Sequence, residues 1–496
     1  MTSKVFGNGS LGEDGKRTCG PPALSSKNLF QLPIRLLSWV LVFILLSGMP
    51  ALAAPPSQVL GVREKLPNDL TWLFAEAPEL PLVSLQLLIK AGTLTEPPAK
   101  AGLANLTAQL LLSGTKTRSA AQIAQELDFL GAKLSAGGGD DYATVSLTVL
   151  KKDLAVGLNL LKDVLLNPKF APAEVQRLVA QIKAALISEE DEPGVVAGRA
   201  FARNLFGPFP YGRPVRGTPE GLSAITQKDL VEFHRSYYRP NNAILVVGGD
   251  LSLEEARRWV TQIFGPWPAA PIPALKLPAI PPLNKTRVVV VNKDITQANI
   301  VMGNLGLARA NPDFYACQVM NYILGGGGFA SRLLDNIRVN RGLAYSVGSS
   351  FSPGLSPGPF AVTLETKNAS AAEAVAQVLA EMHRLQKEPV TDPELNDAKS
   401  YLIGSFPRKM DSLARRVSLL GYVEFYGLGL DYPWRYPEII RNLTPAAIQQ
   451  AAQKYLQPER YLLVAVGKKS EMPSLSGALG RWGAKGEEDE EKKSNN

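Results

Sequence analysis

The sequence predicts an α+β fold of two homologous domains, each a mainly antiparallel sheet covered by helices, joined by a Pro-rich linker. Three observations lead there. Strand-like and helix-like segments mix without strict βαβ alternation, which separates the chain from parallel α/β folds. A long-period repeat runs through it. Thr226–Gly249 contains Thr-Gln-Lys-Asp-Leu, Tyr-Tyr-Arg-Pro-Asn and Leu-Val-Val-Gly-Gly, and Thr444–Gly467 contains Thr-Pro-Ala-Ala-Ile, Tyr-Leu-Gln-Pro-Glu and Leu-Val-Ala-Val-Gly. Thr226 and Thr444, Pro240 and Pro458, and Gly249 and Gly467 are each 218 positions apart. A period of that size means two copies of a domain rather than a solenoid. Between the copies, Phe264–Leu283 holds seven prolines, which remove backbone donors and stiffen an extended connection. The implied divisions are a leader over 1–53, a first domain over 54–264, the linker over 265–285, a second domain over 286–475 and a disordered acidic tail over 476–496.

The elements follow in order. Pro81–Lys90 runs apolar with Val83, Leu85, Leu87 and Ile89 at strand spacing. A helix starts at Gly102. Ser119–Leu130 forms a second, capped by Ser119 and ended by Gly131. Ala132–Leu150 reads as strand, a turn at Gly137-Gly138-Gly139, and strand. Helices are expected over Lys152–Leu166, Pro172–Glu190, Val195–Phe206 and Leu222–Tyr237, then a buried strand over Ala243–Gly248.

Composition narrows the function classes. The chain has 496 residues, 45% hydrophobic and 20% charged, enough for a substantial core. Of its net charge of +8, three units fall before Ala54, leaving a scattered +5 that is joined to no aromatic run. That argues against nucleic-acid binding. Two cysteines build no disulfide framework, and Cys317 sits among apolar residues as a core position. The only imidazoles, His234 and His383, lie in charged helical stretches without ligand patterns and read as surface or packing residues. Arg35, the apolar run Leu36–Leu46 and Pro50-Ala51-Leu52-Ala53-Ala54 form the pattern of a secretory signal cleaved after Ala53. The alternative is an uncleaved membrane anchor through residues 36–46, for which the run is short.

The most informative stretch is Gly102–Thr115, Gly-Leu-Ala-Asn-Leu-Thr-Ala-Gln-Leu-Leu-Leu-Ser-Gly-Thr. Leu103, Leu106, Leu110 and Leu111 recur at helical spacing, so one face is buried. Asn105 and Gln109 are four apart and share a face, with Ala108 beside them. By themselves these residues read as an amphipathic helix with two amides toward solvent or a cleft. Neutral amides hold zinc poorly, and alanine takes no proton from water.

Gly102, Ala104, the leucine run, Gly114 and Thr115 resemble the active-site helix of the insulinase-like (pitrilysin) zinc peptidases, in the short two-domain type related to processing peptidases. That helix reads G-x-A-H-x-x-E-H, then an apolar run and Gly-Thr. In the family its two histidines bind zinc and its glutamate activates water. Here Asn105 and Gln109 stand at the histidine positions and Ala108 at the glutamate. Asp191-Glu192-Pro193 and Pro210-Tyr211-Gly212-Arg213-Pro214-Val215 resemble the family's acidic-Pro helix and His-Pro-Tyr-Gly turn, with Phe209 in place of that histidine. Counting back from Pro193 puts the third ligand, a glutamate, at Ala185. The resemblance therefore implies a degenerate member with no metal in this chain. The neighbouring Glu189 and Glu190 read as a solvated helix end.

A second constellation is intact. Leu324–Ser350 contains Gly325-Gly326-Gly327-Gly328, Ser331-Arg332-Leu333 and Arg338 followed seven positions later by Tyr345 in Gly342-Leu343-Ala344-Tyr345-Ser346-Val347. This is similar to the later domain of the same family, where an Arg/Tyr pair faces the zinc helix across a closed chamber, holds substrate peptide and stabilises the oxyanion. Both side chains donate hydrogen bonds to a carbonyl that gains charge. The resemblance spans roughly residues 59–470.

What it implies is a non-catalytic subunit of an exported, periplasmic or extracytoplasmic peptidase. The chain would supply Arg338 and Tyr345 to a homologous zinc-bearing sister in a heterodimer. Zinc would reside in the partner, peptide would be the substrate, and proteolysis would occur only in the complex. The alternative is a pseudo-peptidase that binds peptide or scaffolds an envelope assembly. An enzyme with another nucleophile finds no support, since no histidine-based pair is present and Cys317 reads as core.

Overall fold

In the computed structural model, residues 58–472 and Leu475 are described. The leader with its cleavage site and the run 36–46 lie outside them, as does the tail 476–496. The first sheet uses β1 (Val62–Lys65), β2 (Thr71–Glu76), β3 (Leu82–Ile89), β4 (Lys133–Gly138), β5 (Ala143–Leu150) and β6 (Ala243–Gly249), in the order β1-β2-β6-β3-β5-β4. Only β2 and β6 run parallel. Its helices are α1 (Leu103–Leu110), α2 (Ala120–Leu130), α3 (Leu154–Leu166), α4 (Pro172–Ser188), α5 (Pro193–Phe206), α6 (Pro219–Ala224), α7 (Gln227–Tyr237) and α8 (Leu253–Phe264).

Residues 268–284 carry no helix or strand. The second sheet then repeats the first. It uses β7 (Arg287–Asn292), β8 (Gln297–Leu305), β9 (Ala344–Phe351), β10 (Pro359–Lys367) and β11 (Leu462–Gly467), ordered β7-β11-β8-β10-β9. With β1 set aside, the two orders superpose strand for strand, and the one parallel pair, β7 with β11, falls at the equivalent place. The 218-residue repeat in the sequence is therefore a repeat of topology. Its helices are α9 (Phe314–Asn321), α10 (Ala371–Lys387), α11 (Asp392–Ser405), α12 (Leu413–Phe425), α13 (Tyr432–Arg441) and α14 (Pro445–Tyr455).

Each half lends a helix to the other. α5 lies on β8 and β11, where Ala197, Phe201, Leu205 and Phe206 pack on Val301, Leu462, Val464 and Val466. α12 lies on β2, β3 and β6, and Val417, Leu420 and Val423 share a core with Leu73, Leu88 and Val246. Glycine makes the approach close: a Cβ on Gly421 would sit 2.8 Å from Leu88 Cδ1. Fully burying one such side chain is worth about 1.5–3 kcal/mol, so the exchange ties the described residues into one unit.

Three local expectations are corrected. Leu222–Tyr237 is two helices, because the Thr226 hydroxyl accepts from Asp229 N and the Asp229 carboxylate accepts from Thr226 N at 2.9 Å, starting α7 afresh. Gly137 and Gly138 belong to β4, paired with Thr144 and Ala143, so the turn comes later, around 139–142. Gly138 is needed there because a Cβ would lie 2.7 Å from Asn105 Cα. Finally, α1 is not half-solvated: every residue except Gln109 is buried.

Candidate functional site

α1 is positioned from its N-terminus. Gly102 precedes it at φ 97°, and a Cβ there would strike Arg216 O and Gly217 Cα, both at 2.8 Å. The first turn's free N–H groups go to the Glu96 carboxylate, which accepts from Gly102 N at 3.1 Å and Ala104 N at 2.8 Å. Glu96 is 5% exposed. Burial pushes its carboxyl up to about 8, although the two backbone donors and Arg213 pull the other way.

Three of the four positions that the resemblance marks as degenerate lie on this helix, and the fourth lies on a helix beside it. Asn105 Oδ1 accepts from Gly138 N and from Gln109 Nε2, both at 3.1 Å, so the amide pins α1 to β4. Its Nδ2 is buried without a partner. Ala108 is fully buried and Gln109 partly so. Ala185 lies on α4, which packs against α1. No cluster of three His, Cys, Asp or Glu occurs among the described residues. The donor set of two amides and two methyl groups does not fit zinc. Glu189 and Glu190 do not substitute: Glu189 is held by Arg199 and Arg216, and Glu190 by Arg199 at 2.8 Å. Glu189 is drawn into an ion-paired cluster, while Glu190 stays 61% exposed, at the solvated helix end expected from sequence.

Phe209 is buried, and its ring meets Phe206 and Tyr211. Tyr211 in the following turn donates to Asp141 Oδ1, while Tyr426 OH and Leu355 N reach Asp141 Oδ2, both at 2.9 Å. Asp141 is 8% exposed and joins the halves. Burial first, then Asp141 itself, raises both phenols and keeps them protonated. A cleft of about 520 Å³ lies here between the 137–142 hairpin, Phe206, Tyr211, Ser352–Gly354 and Tyr426. Sequence reasoning missed Asp141, whose partners are 70, 214 and 285 positions away.

In the second half, the glycine run permits close packing. A Cβ on Gly325 would lie 2.6 Å from Ser349 Oγ, and one on Gly326 2.5 Å from Asn321 Nδ2. Ser331 Oγ donates to Gly328 O at 2.6 Å. Arg332 forms a fork with Glu394 at 2.6 and 3.0 Å. Burial opposes ionisation of Glu394, yet Arg332 and the Thr391 cap bring its carboxyl down to about 2. Ser331 and Arg332 are thus structural.

Arg338 differs. It sits on a π-helical segment, Leu334–Asn340, and its guanidinium makes no ion pair among the described residues. Asp335, its nearest acid in sequence, is instead bonded by Asn340 Nδ2 at 3.0 Å. Arg338 Cζ lies 5.2 Å from the ring centroid of Tyr345 and 5.2 Å from that of Phe329. The expected pair is therefore adjacent, and Tyr345 is 72% exposed rather than filling the core. Phe329, 73% exposed, went unnoticed in the sequence.

The two other candidates resolve as packing. His234 bonds Leu165 O at 2.8 Å between the rings of Phe170 and Tyr238, and burial lowers it to about 4. His383 pairs with Glu459 at 3.2 Å.

A two-sheet repeat with exchanged helices, a zinc helix stripped of its donors and an intact Arg/Tyr pair define a pseudo-peptidase of the insulinase type. The chain belongs to the insulinase family, peptidase family M16. Residues 72–218 match the description "Insulinase (Peptidase family M16)" and residues 224–402 match "Peptidase M16 inactive domain". The second description covers a stretch beyond the α1 helix, so the loss of metal donors is read from the residues at 105, 108, 109 and 185, which are Asn105, Ala108, Gln109 and Ala185. An uncharacterized zinc protease of Rickettsia bellii is 27% identical over 79% of this chain and 93% of its own. A Helicobacter pylori protein described as a non-peptidase homolog, YmxG, is 29% identical over 73% of this chain and 83% of its own. The crystal structure of a peptidase M16 inactive domain from Pseudomonas fluorescens superposes with a TM-score of 0.77 at 30% identity, covering 82% of this chain and 98% of that one. A Helicobacter pylori protease shares the fold at a TM-score of 0.76 and 20% identity, over 82% and 99%.

Proposed function

We propose that this chain is the non-catalytic subunit of an exported insulinase-like metallopeptidase, closing the peptide chamber and supplying Arg338 and Tyr345 to a homologous zinc-bearing sister. One observation carries the reading: the metal donors are replaced, while an arginine with no ion-pair partner among the described residues remains beside an exposed tyrosine. A half-buried guanidinium beside an exposed phenol leaves both donors available to a bound peptide. Arg338 and Tyr345 would donate to the carbonyl of an extended peptide and to the oxyanion that forms from it. The signal-like leader supports export, and the zinc would lie in the sister chain.

Co-expression with a homologous chain that retains H-x-x-E-H tests this. The complex should cleave peptides, and this chain alone should not. Arg338→Ala should lower turnover per assembled dimer by about 10²–10³-fold, the usual loss for one oxyanion donor. Tyr345→Phe should lower it less. Unchanged turnover in both variants refutes the shared site. The description of the Helicobacter pylori relative as a non-peptidase homolog favours a second reading, a peptide-binding or scaffold protein. That reading predicts no gain in cleavage on mixing this chain with the zinc-bearing one.

A further inference from the structure

Phe329 follows the glycine run, and 73% of its surface is open to water. Exposure alone says little, since Phe129 is 90% exposed; what sets Phe329 apart is that a cation and a second open ring lie beside it. Tyr345, the other ring beside Arg338, is equally open at 72%. The Arg338 guanidinium lies at the same 5.2 Å from the centroids of both rings. Among the described residues no carboxylate pairs with it, and both rings attract this cation through their π faces. The loop is built to carry the ring. Gly328 turns the chain at φ 59°, and a Cβ there would meet nothing within 4 Å, so the loop tip stands free of the body.

We propose that Phe329 is a positioning residue, and that Phe329, Arg338 and Tyr345 form one clamp for an extended peptide bearing an aromatic or branched apolar side chain. This rests on the reading of Arg338 and Tyr345 as a peptide-binding pair. Arg338 donates to a main-chain carbonyl of the peptide. The adjacent apolar side chain covers Phe329, which removes its exposed area from water. Phe329 acts twice: it orders the guanidinium before binding, and it sets a preference for apolar over small residues. Leucine at 329 would keep the apolar surface but lose the π face.

The experiment uses the full chain and two fluorescein-labelled nonapeptides that differ only at the central residue, Phe or Gly, with binding followed by anisotropy. Wild type should bind the Phe peptide more tightly. Phe329→Ala should remove most of that preference. Phe329→Trp should restore it, while Phe329→Leu should remain about two- to fivefold weaker for both peptides, the worth of an exposed cation–π contact. In an Arg338→Ala background, Phe329→Leu should have no further effect. Failure of wild type to bind either peptide overturns the peptide-binding reading and this inference with it. Binding that depends on Arg338 but is indifferent to Phe329 overturns this inference alone. So does an equal loss from Phe329→Leu with and without Arg338.

Discussion

Replacing Glu96 with glutamine should remove a pH dependence of stability seated at α1, so that the order of stability of the two proteins reverses between pH 5 and pH 9. In the native chain burial holds the Glu96 carboxyl up to about 8, against 4.5 for the free group. A folded value raised above the unfolded one means that the native state keeps a proton the unfolded chain releases. Its stabilisation is complete below pH 4.5 and is lost as pH rises to 8. At about 1.36 kcal/mol for each unit, the loss between pH 5 and pH 9 comes to about 4 kcal/mol. Glutamine does not titrate, but its NH₂ would face one of the two N–H groups, from Gly102 or Ala104, that the carboxylate now satisfies. One buried donor left unpaired costs about 1–3 kcal/mol. Wild type should therefore be the more stable by about 2 kcal/mol at pH 5, and the less stable by a similar margin at pH 9. Urea unfolding of both proteins at pH 5, 7 and 9 reads this as a crossing of midpoints, and the other titrating groups cancel in the difference. A constant difference across that range refutes the reasoning: the helix N-terminus and Arg213 would then keep Glu96 ionised throughout.

Asp141→Ala should lower stability by about 2–5 kcal/mol, since it strands two phenols and a backbone N–H at the junction of the halves; calorimetry on the variant beside Tyr426→Phe, expected to lose about 1–3 kcal/mol, gives the order. Metal analysis of chelator-free wild type should find no stoichiometric zinc, and one tightly held ion per chain would contradict the placement of Asn105, Gln109 and Ala185. Restoring Asn105→His, Ala108→Glu, Gln109→His and Ala185→Glu should create zinc affinity but destabilise the metal-free chain, because Ala108 is fully buried and Asn105 holds Gly138. In a Cys19→Ser variant, Cys317 should resist thiol reagents at pH 8 until the chain unfolds, because burial pushes the thiol up to about 12.

The sequence by itself determined whatever is written within a few consecutive turns. Ser119 announces a helix start through a bond to Gln122, three positions on; Thr226 carries the same local signal to Asp229, and a reading of Leu222–Tyr237 as one helix passes over it. The leucine spacing of α1 marks a buried helix, and the loss of its metal donors needs only residue identity. Arg338 and Tyr345 were legible because one short segment carries both. The 218-residue repeat was legible because both copies keep the same turn and strand residues. Tertiary structure alone decided the exchange of α5 and α12, since an apolar helix face does not say which sheet it covers. It also decided Asp141 as the junction, Glu96 as a buried acid, and Phe329 as the second ring on Arg338. Each depends on which groups folding brings within about 3–5 Å and on how much water it removes. Hydrogen bonds, ring contacts and desolvation act through space, so groups up to hundreds of residues apart in the chain set one another's chemistry, and no local pattern records that distance.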